Sequence, residues 1–304
     1  MQRSHLSRPG TFILLVAIFS AVPYALIIRE GSSDSDWMLL LMLSPALAAI
    51  VCTLVFRERF GDFGWRPRRP GLMLLALALP LVVEASTIAI ALAAGLAEWP
   101  RGLIDASGGL VSIHRFALVF GAAPQLPALL ALNFLLSIAI ASVLYLPFAL
   151  GEELGWRGYL QRHATGQWGF TAGVLFVGLA WGYWHAPAIL LGHNFPQFPV
   201  LGAVILMPLA TVAMSLVMGT MYASSRSIWI PALLHASLNT CANISNKALG
   251  DARDSLAVNL TWILLWALFG TIAWWRAGVV RLASNASIGV DGAPSRPAAP
   301  VETS

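Results

Sequence analysis

Charge is what this sequence lacks. Of its 304 residues only 11% are charged and 58% are hydrophobic, with a mean hydropathy of +0.75. A soluble domain carries about a quarter charged residues, so a water-soluble globule is excluded. Cysteine is scarce as well. Cys52 and Cys241 are the only two; they lie far apart inside apolar runs, which removes a disulfide framework and leaves them as small apolar fillers. No period of about 20–50 residues repeats, and the halves lack the inverted symmetry that many transporters show. No run of about ten residues alternates apolar with polar, which excludes a membrane β-barrel. A His-Glu-x-x-His zinc motif is also missing.

What is present in quantity is apolar sequence in runs of about 20 residues, the length that crosses a bilayer as a helix. Eight such spans are predicted, at 11–29, 37–56, 71–97, 127–161, 171–191, 200–222, 228–246 and 257–279. The expected fold is therefore all-α, a polytopic bundle, with one transmembrane domain over 1–283 and a disordered cytoplasmic tail at 284–304 rich in Ala, Pro, Ser and Gly. Trp37, Trp99, Trp168, Trp229 and Trp274 fall near span ends, as interfacial aromatics do. The first run also resembles a signal peptide, but its length favours an uncleaved first helix.

Placing both termini in the cytoplasm puts 13 of the 18 Lys and Arg residues on the inner side, in agreement with the positive-inside rule. That implies a multi-pass protein of the plasma (inner) membrane. The inner loops account for the net charge of +4 without a nucleic-acid partner, and anionic lipid headgroups account for the basic 57–69 loop. The outer loop at 98–126 is the longest and is expected to be partly interfacial.

Against this background, ionisable and amide side chains inside spans stand out, because each costs a few kcal/mol or more at membrane depth. Glu153 and Arg157 are four apart with the acid first, the favourable order for an ion pair on a helix. Glu152 lies about 100° round the helix with no partner at that spacing, and is left free for acid–base work. The alternative is an interfacial ion pair with Glu152 solvated. His185 follows Trp181 by four residues, so the indole could pack on the imidazole, and Pro187 should bend the helix nearby. A backbone hydrogen bond explains such a histidine equally well. His235 and Asn239, again four apart, present two donors that could form an oxyanion hole or a simple interhelical pair. His193-Asn194, between Gly192 and Pro196, reads as a loop pair.

Depth links the three motifs. At about 1.5 Å per residue, Glu152 is about 15 Å from an inner end at Arg162, His235 about 14 Å from Arg226, and His185 about 18 Å from Gly173 but about 25 Å from Trp168, so the levels match if 168–173 lies along the interface. Gly151 with Gly155, and Gly178 with Gly182, would let helices close in beside the polar groups. The expected site is therefore buried among the fourth, fifth and seventh helices.

A Glu-Glu-x-x-x-Arg motif, then an aromatic-x-x-x-His motif, then His-x-x-x-Asn resembles the CPBP intramembrane proteases, which include type II CAAX prenyl endopeptidases and bacteriocin-processing or self-immunity proteins. The resemblance covers about 126–245, with Trp181 where Phe is usual. It implies an endopeptidase acting on a membrane-associated protein or peptide, prenylated or lipid-anchored substrates included. By that resemblance Glu152 and His185 activate a water, His235 and Asn239 stabilise the oxyanion, and Glu153, Arg157 and Trp181 support the site. No cofactor is expected on this reading. A zinc protease holding Zn²⁺ with Glu152, His185 and His235 is the alternative within enzymes. Outside them stand a non-catalytic membrane scaffold or immunity protein, and a transporter using Glu84, Glu152 and the histidines as a proton relay.

Overall fold

The computed structural model describes residues 7–32 and 35–290. Helices form most of it. α1 (Arg8–Glu30) is followed by the short α2 (Trp37–Leu41), α3 (Ser44–Val55) and α4 (Pro70–Ala93). A hairpin then pairs β1 (Ile104–Ser107) with β2 (Leu110–Ile113), antiparallel, with Ile104 opposite Ile113. α5 (Pro127–Glu153) continues through a π-helical stretch, Leu154–Gln161, into α6 (Arg162–Trp168). α7 (Phe170–Trp184), α8 (Ala186–Leu190) and α9 (Pro199–Leu201) follow. α9 leads through a second π stretch, Gly202–Leu206, into α10 (Met207–Ser225). α11 (Trp229–Leu249) and α12 (Leu256–Val290) complete the bundle. Proline opens α4, α5 and α9, at the first-turn position where its missing N–H costs nothing.

Six helical segments are long and apolar enough to cross a membrane: Arg8–Glu30, Trp37–Val55, Pro70–Ala93, Pro127–Trp168, Pro199–Ser225 and Leu256–Gly278. The protein is thus a multi-pass integral membrane protein with an all-α bundle. Eight spans were expected from sequence. α7 is apolar but only 15 residues long, and α11 falls outside the six. These two carry His185 at their end and His235 with Asn239 in their interior, so the polar groups themselves account for part of the deficit.

Four local expectations change. The helix that carries the fourth span does not end near Arg162 but runs on to Trp168. The second span breaks into α2 and α3 around Met42 and Leu43. The loop at 98–126 contains the hairpin, and Val111 also pairs with Gln125, just before α5. The segment expected as a tail from 284 begins inside α12; residues 291–304 lie outside the described residues.

α10 is the most buried of the six segments and packs on α7, α11 and α12, while α11 packs on α4 and α5. The small residues permit this. A Cβ on Gly178 would sit 2.6 Å from Val212 Cα, and one on Gly182 2.6 Å from Pro208 Cα, so α7 and α10 meet backbone to backbone. Gly155 does the same against Pro45, where a Cβ would stand 2.4 Å from the proline Cβ.

Candidate active site

The level of the site follows from chain geometry. Sixteen residues lead down from Glu152 to Trp168, Gly169 turns the chain at φ 81, and fifteen lead back up from Phe170 to His185. Positive φ suits glycine and few other residues. The two legs are nearly equal, so His185 returns to the height of Glu152 although the helix end lies at Trp168 and not near Arg162 or Gly173. α7 stops at Trp184, Pro187 stands in the first turn of α8, and His185 occupies the junction as expected.

Glu152 and Glu153 are both buried, at the end of α5 where the backbone widens into the π stretch. Such widened turns occur often at functional sites. Arg157 Nη1 donates to Glu153 Oε1 at 2.8 Å, with both side chains fully buried, so the predicted pair is formed. Arg157 Nη2 donates to Ser215 Oγ at 2.9 Å, tying α10 to the motif, and the guanidinium carbon lies 4.6 Å from the Trp181 ring centre.

Glu152 has partners that the spacing argument missed. Trp156, four residues on, donates its indole N–H to Glu152 Oε2 at 3.2 Å, and Trp181 donates to the same oxygen at 2.7 Å. Search for an oppositely charged residue at that spacing overlooks an indole, which donates without charge. The other oxygen, Oε1, faces His235 Nε2 at 3.9 Å.

His235 therefore stands between the two acids. Its Nδ1 is 2.9 Å from Glu153 Oε1, so Glu153 serves Arg157 and His235 with one oxygen. Trp181 also lies beside it, with ring centres 5.3 Å apart. Asn239, one turn along α11, is half-buried and meets the Tyr145 hydroxyl of α5. The predicted packing of Trp181 on His185 is loose at 5.9 Å, and the closer aromatic to His185 is Trp184 at 4.8 Å. His185 Nδ1 bonds to the Trp181 carbonyl at 2.8 Å, which leaves Nε2 as the nitrogen available for other work. His185 and His235 are close enough to interact electrostatically.

The structure thus brings Glu152, Glu153, Arg157, Trp181 and His235 into direct contact. His185 and Asn239 stand at its margin. Among the described residues, no group of three His, Cys, Asp or Glu side chains is arranged to hold a metal ion.

Glu84 belongs elsewhere. It is bonded to Ser245 and accepts from Trp262 Nε1 at 2.8 Å, in a second buried polar cluster completed by Arg253 and Asn259. Burial draws the Arg253 guanidinium below its ordinary range, against the opposing pull of Glu84 and Asp254.

Residues 127–241 match the Rce1-like family, described as type II CAAX prenyl endopeptidases. The match runs from the first residue of α5 into α11 and contains every motif residue named above. No curated protein matches the chain. Over these residues the chain carries a domain of that family, which is a family of intramembrane proteases.

Proposed function

Because residues 127–241 are a domain of an intramembrane-protease family, we propose that the chain is an endopeptidase in which Glu152, His185, His235 and Asn239 perform hydrolysis. The substrate is a membrane-associated protein or peptide, prenylated or lipid-anchored chains included. The observation that carries this reading is the buried carboxylate of Glu152 held at one oxygen by two indole donors, which leaves Oε1 to take a proton.

In this mechanism Glu152, assisted by His185 through its Nε2, removes a proton from water, and the hydroxide adds to the scissile carbonyl carbon. The oxyanion so formed accepts hydrogen bonds from His235 and Asn239. Collapse breaks the C–N bond, and the proton held by the acid–base pair passes to the leaving amine. With Nδ1 engaged by Glu153, His235 presents Nε2 toward Glu152. Glu153, Arg157 and Trp181 hold the geometry. No step requires a metal.

The proposal extends to eight spans, one transmembrane domain over 1–283, both termini in the cytoplasm and a plasma-membrane location; the positive-inside distribution supports it. The test compares peptide ends in membranes carrying the protein or its Glu152→Ala variant. Ends present only with the former identify substrates. Identical sets of ends would remove the proteolytic reading.

A further inference from the structure

The loop between β2 and α5 leaves the hairpin and returns to it. Val111 and Gln125 exchange both backbone hydrogen bonds, at 2.8 and 2.9 Å, beside the start of α5. Between these two points the chain descends along α5. The Phe120 amide donates to Asn133 Oδ1 at 3.1 Å, and the Val119 amide donates to Ser137 Oγ at 3.0 Å. Asn133 and Ser137 are six and ten residues into α5, so the tip lies about 9–15 Å below the helix start.

At that level α5 itself shows what surrounds the protein. Leu129, Leu132, Leu135 and Leu136 are all exposed there, on a helix apolar and long enough to span. The tip is apolar too, Phe116-Ala117-Leu118-Val119-Phe120, with Phe120 67% exposed and Val119 47% exposed. Arg115, immediately before it, is exposed as a cation should be nearer the headgroups.

Non-helical backbone at membrane depth must have its polar groups satisfied by protein. The protein satisfies part of this loop's backbone in that way, at the Val119, Phe120 and Gly121 amides and the Leu118 and Gly121 carbonyls. Beyond the two amides bound by α5, the Gly121 amide donates to Leu118 O at 3.0 Å, and the Gly121 carbonyl accepts from Asn133 Nδ2 and Gln125 Nε2, each at 3.2 Å. Phe116 packs edge-on against Phe134 of α5 and lies under the Lys247 ammonium of α11.

We propose that residues 116–120 form a re-entrant tip inserted among the lipid acyl chains of the leaflet at the N-terminal end of α5, with Asn133 and Ser137 as its anchors. The partner is hydrocarbon, independent of any proteolytic role.

Single-cysteine variants Val119→Cys and Phe120→Cys, labelled with a nitroxide in phospholipid vesicles, test it; Cys52 and Cys241 are buried, and unsubstituted protein gives the background. Spin-label relaxation by oxygen, which partitions into lipid, is compared with relaxation by a water-soluble nickel chelate. Labels at 119 and 120 should favour oxygen as a label at Leu132 does, whereas one at Ser107 in the hairpin should favour nickel. Nickel access at 119 matching that at 107, or protection from both reagents, would overturn the proposal. Adding Asn133→Leu and Ser137→Ala to the 119-labelled protein should raise nickel access at the tip while the Leu132 label is unchanged. An unmoved tip would show that these side chains are not its anchors.

Discussion

Trp181 reaches across from α7 and donates its indole N–H to Glu152 Oε2 at 2.7 Å, at the end of α5. The same ring lies beneath the Arg157 guanidinium and beside the His235 imidazole. One aromatic side chain therefore touches the acid, its cationic neighbour and the histidine. An aromatic without a donor could pack in this place, but it could not hold the carboxylate.

Trp181→Phe accordingly should lower proteolysis about tenfold or more, since a hydrogen bond to a charged group is worth about 1.5–3 kcal/mol. Trp156 still donates, so activity should fall without vanishing. Cleavage rates of variant and parent, at equal folded amounts, measure this; an unchanged rate would show that the indole only fills space.

Glu152→Gln should abolish cleavage while keeping the fold. Loss of a general base costs about 10²–10⁴ in rate, and the amide oxygen can still accept from the two indoles. Peptide-end analysis for activity and circular dichroism in detergent for helicity provide the two readings. Full activity in the variant would remove Glu152 from the chemistry.

Arg157→Met addresses the support. Removing one member of a fully buried pair leaves the other uncompensated, at a cost of about 3–5 kcal/mol. The variant should lose thermal stability in detergent, and the double variant Arg157→Met with Glu153→Gln should recover part of it. Equal stability of the single and double variants would argue against the pair.

Two glycines separate close packing from helix propensity. Gly155→Ala places a Cβ 2.4 Å from Pro45 Cβ and 2.7 Å from its carbonyl oxygen, and such overpacking costs about 1–3 kcal/mol. Gly166→Ala in α6 meets nothing within 4 Å and should be neutral or stabilising by up to about 1 kcal/mol. Melting temperatures should move in opposite directions or differ clearly.

Metal analysis tests the mechanism from outside the mutants. Activity of purified protein should survive a strong chelator. Stoichiometric zinc whose removal abolishes cleavage, and whose return restores it, would replace the glutamate-and-water mechanism.

Much of the site could be read from spacing alone. The Glu153–Arg157 pair is an i,i+4 contact on one helical strip, so its formation depends little on the rest of the fold. The closeness of Glu152 and His235 was legible as a coincidence of depth. Trp156 is equally local, but it is an uncharged donor and leaves no mark in a charge pattern. Ser215, Tyr145 and the second donor from Trp181 come from other helices, and no spacing rule reaches across helices.

Composition and the length of the apolar runs by themselves determined that the chain lives in a membrane as helices, because lipid leaves no other way to satisfy a backbone. The order of the three motifs, and the charge pair within the first, belong to the same level. Tertiary structure decided the rest. The turn at Gly169 sets where His185 lands, and the close approach at Gly155 and Gly182 sets which faces meet. Packing then placed His235 between two glutamates instead of beside Asn239 alone. The loop before α5 shows the same division. Its apolar stretch is visible in the sequence, but only the hydrogen bonds from Asn133 and Ser137 bring it down along α5. Helices are specified by bonds between near neighbours, whereas a site shared by several helices depends on how their surfaces fit.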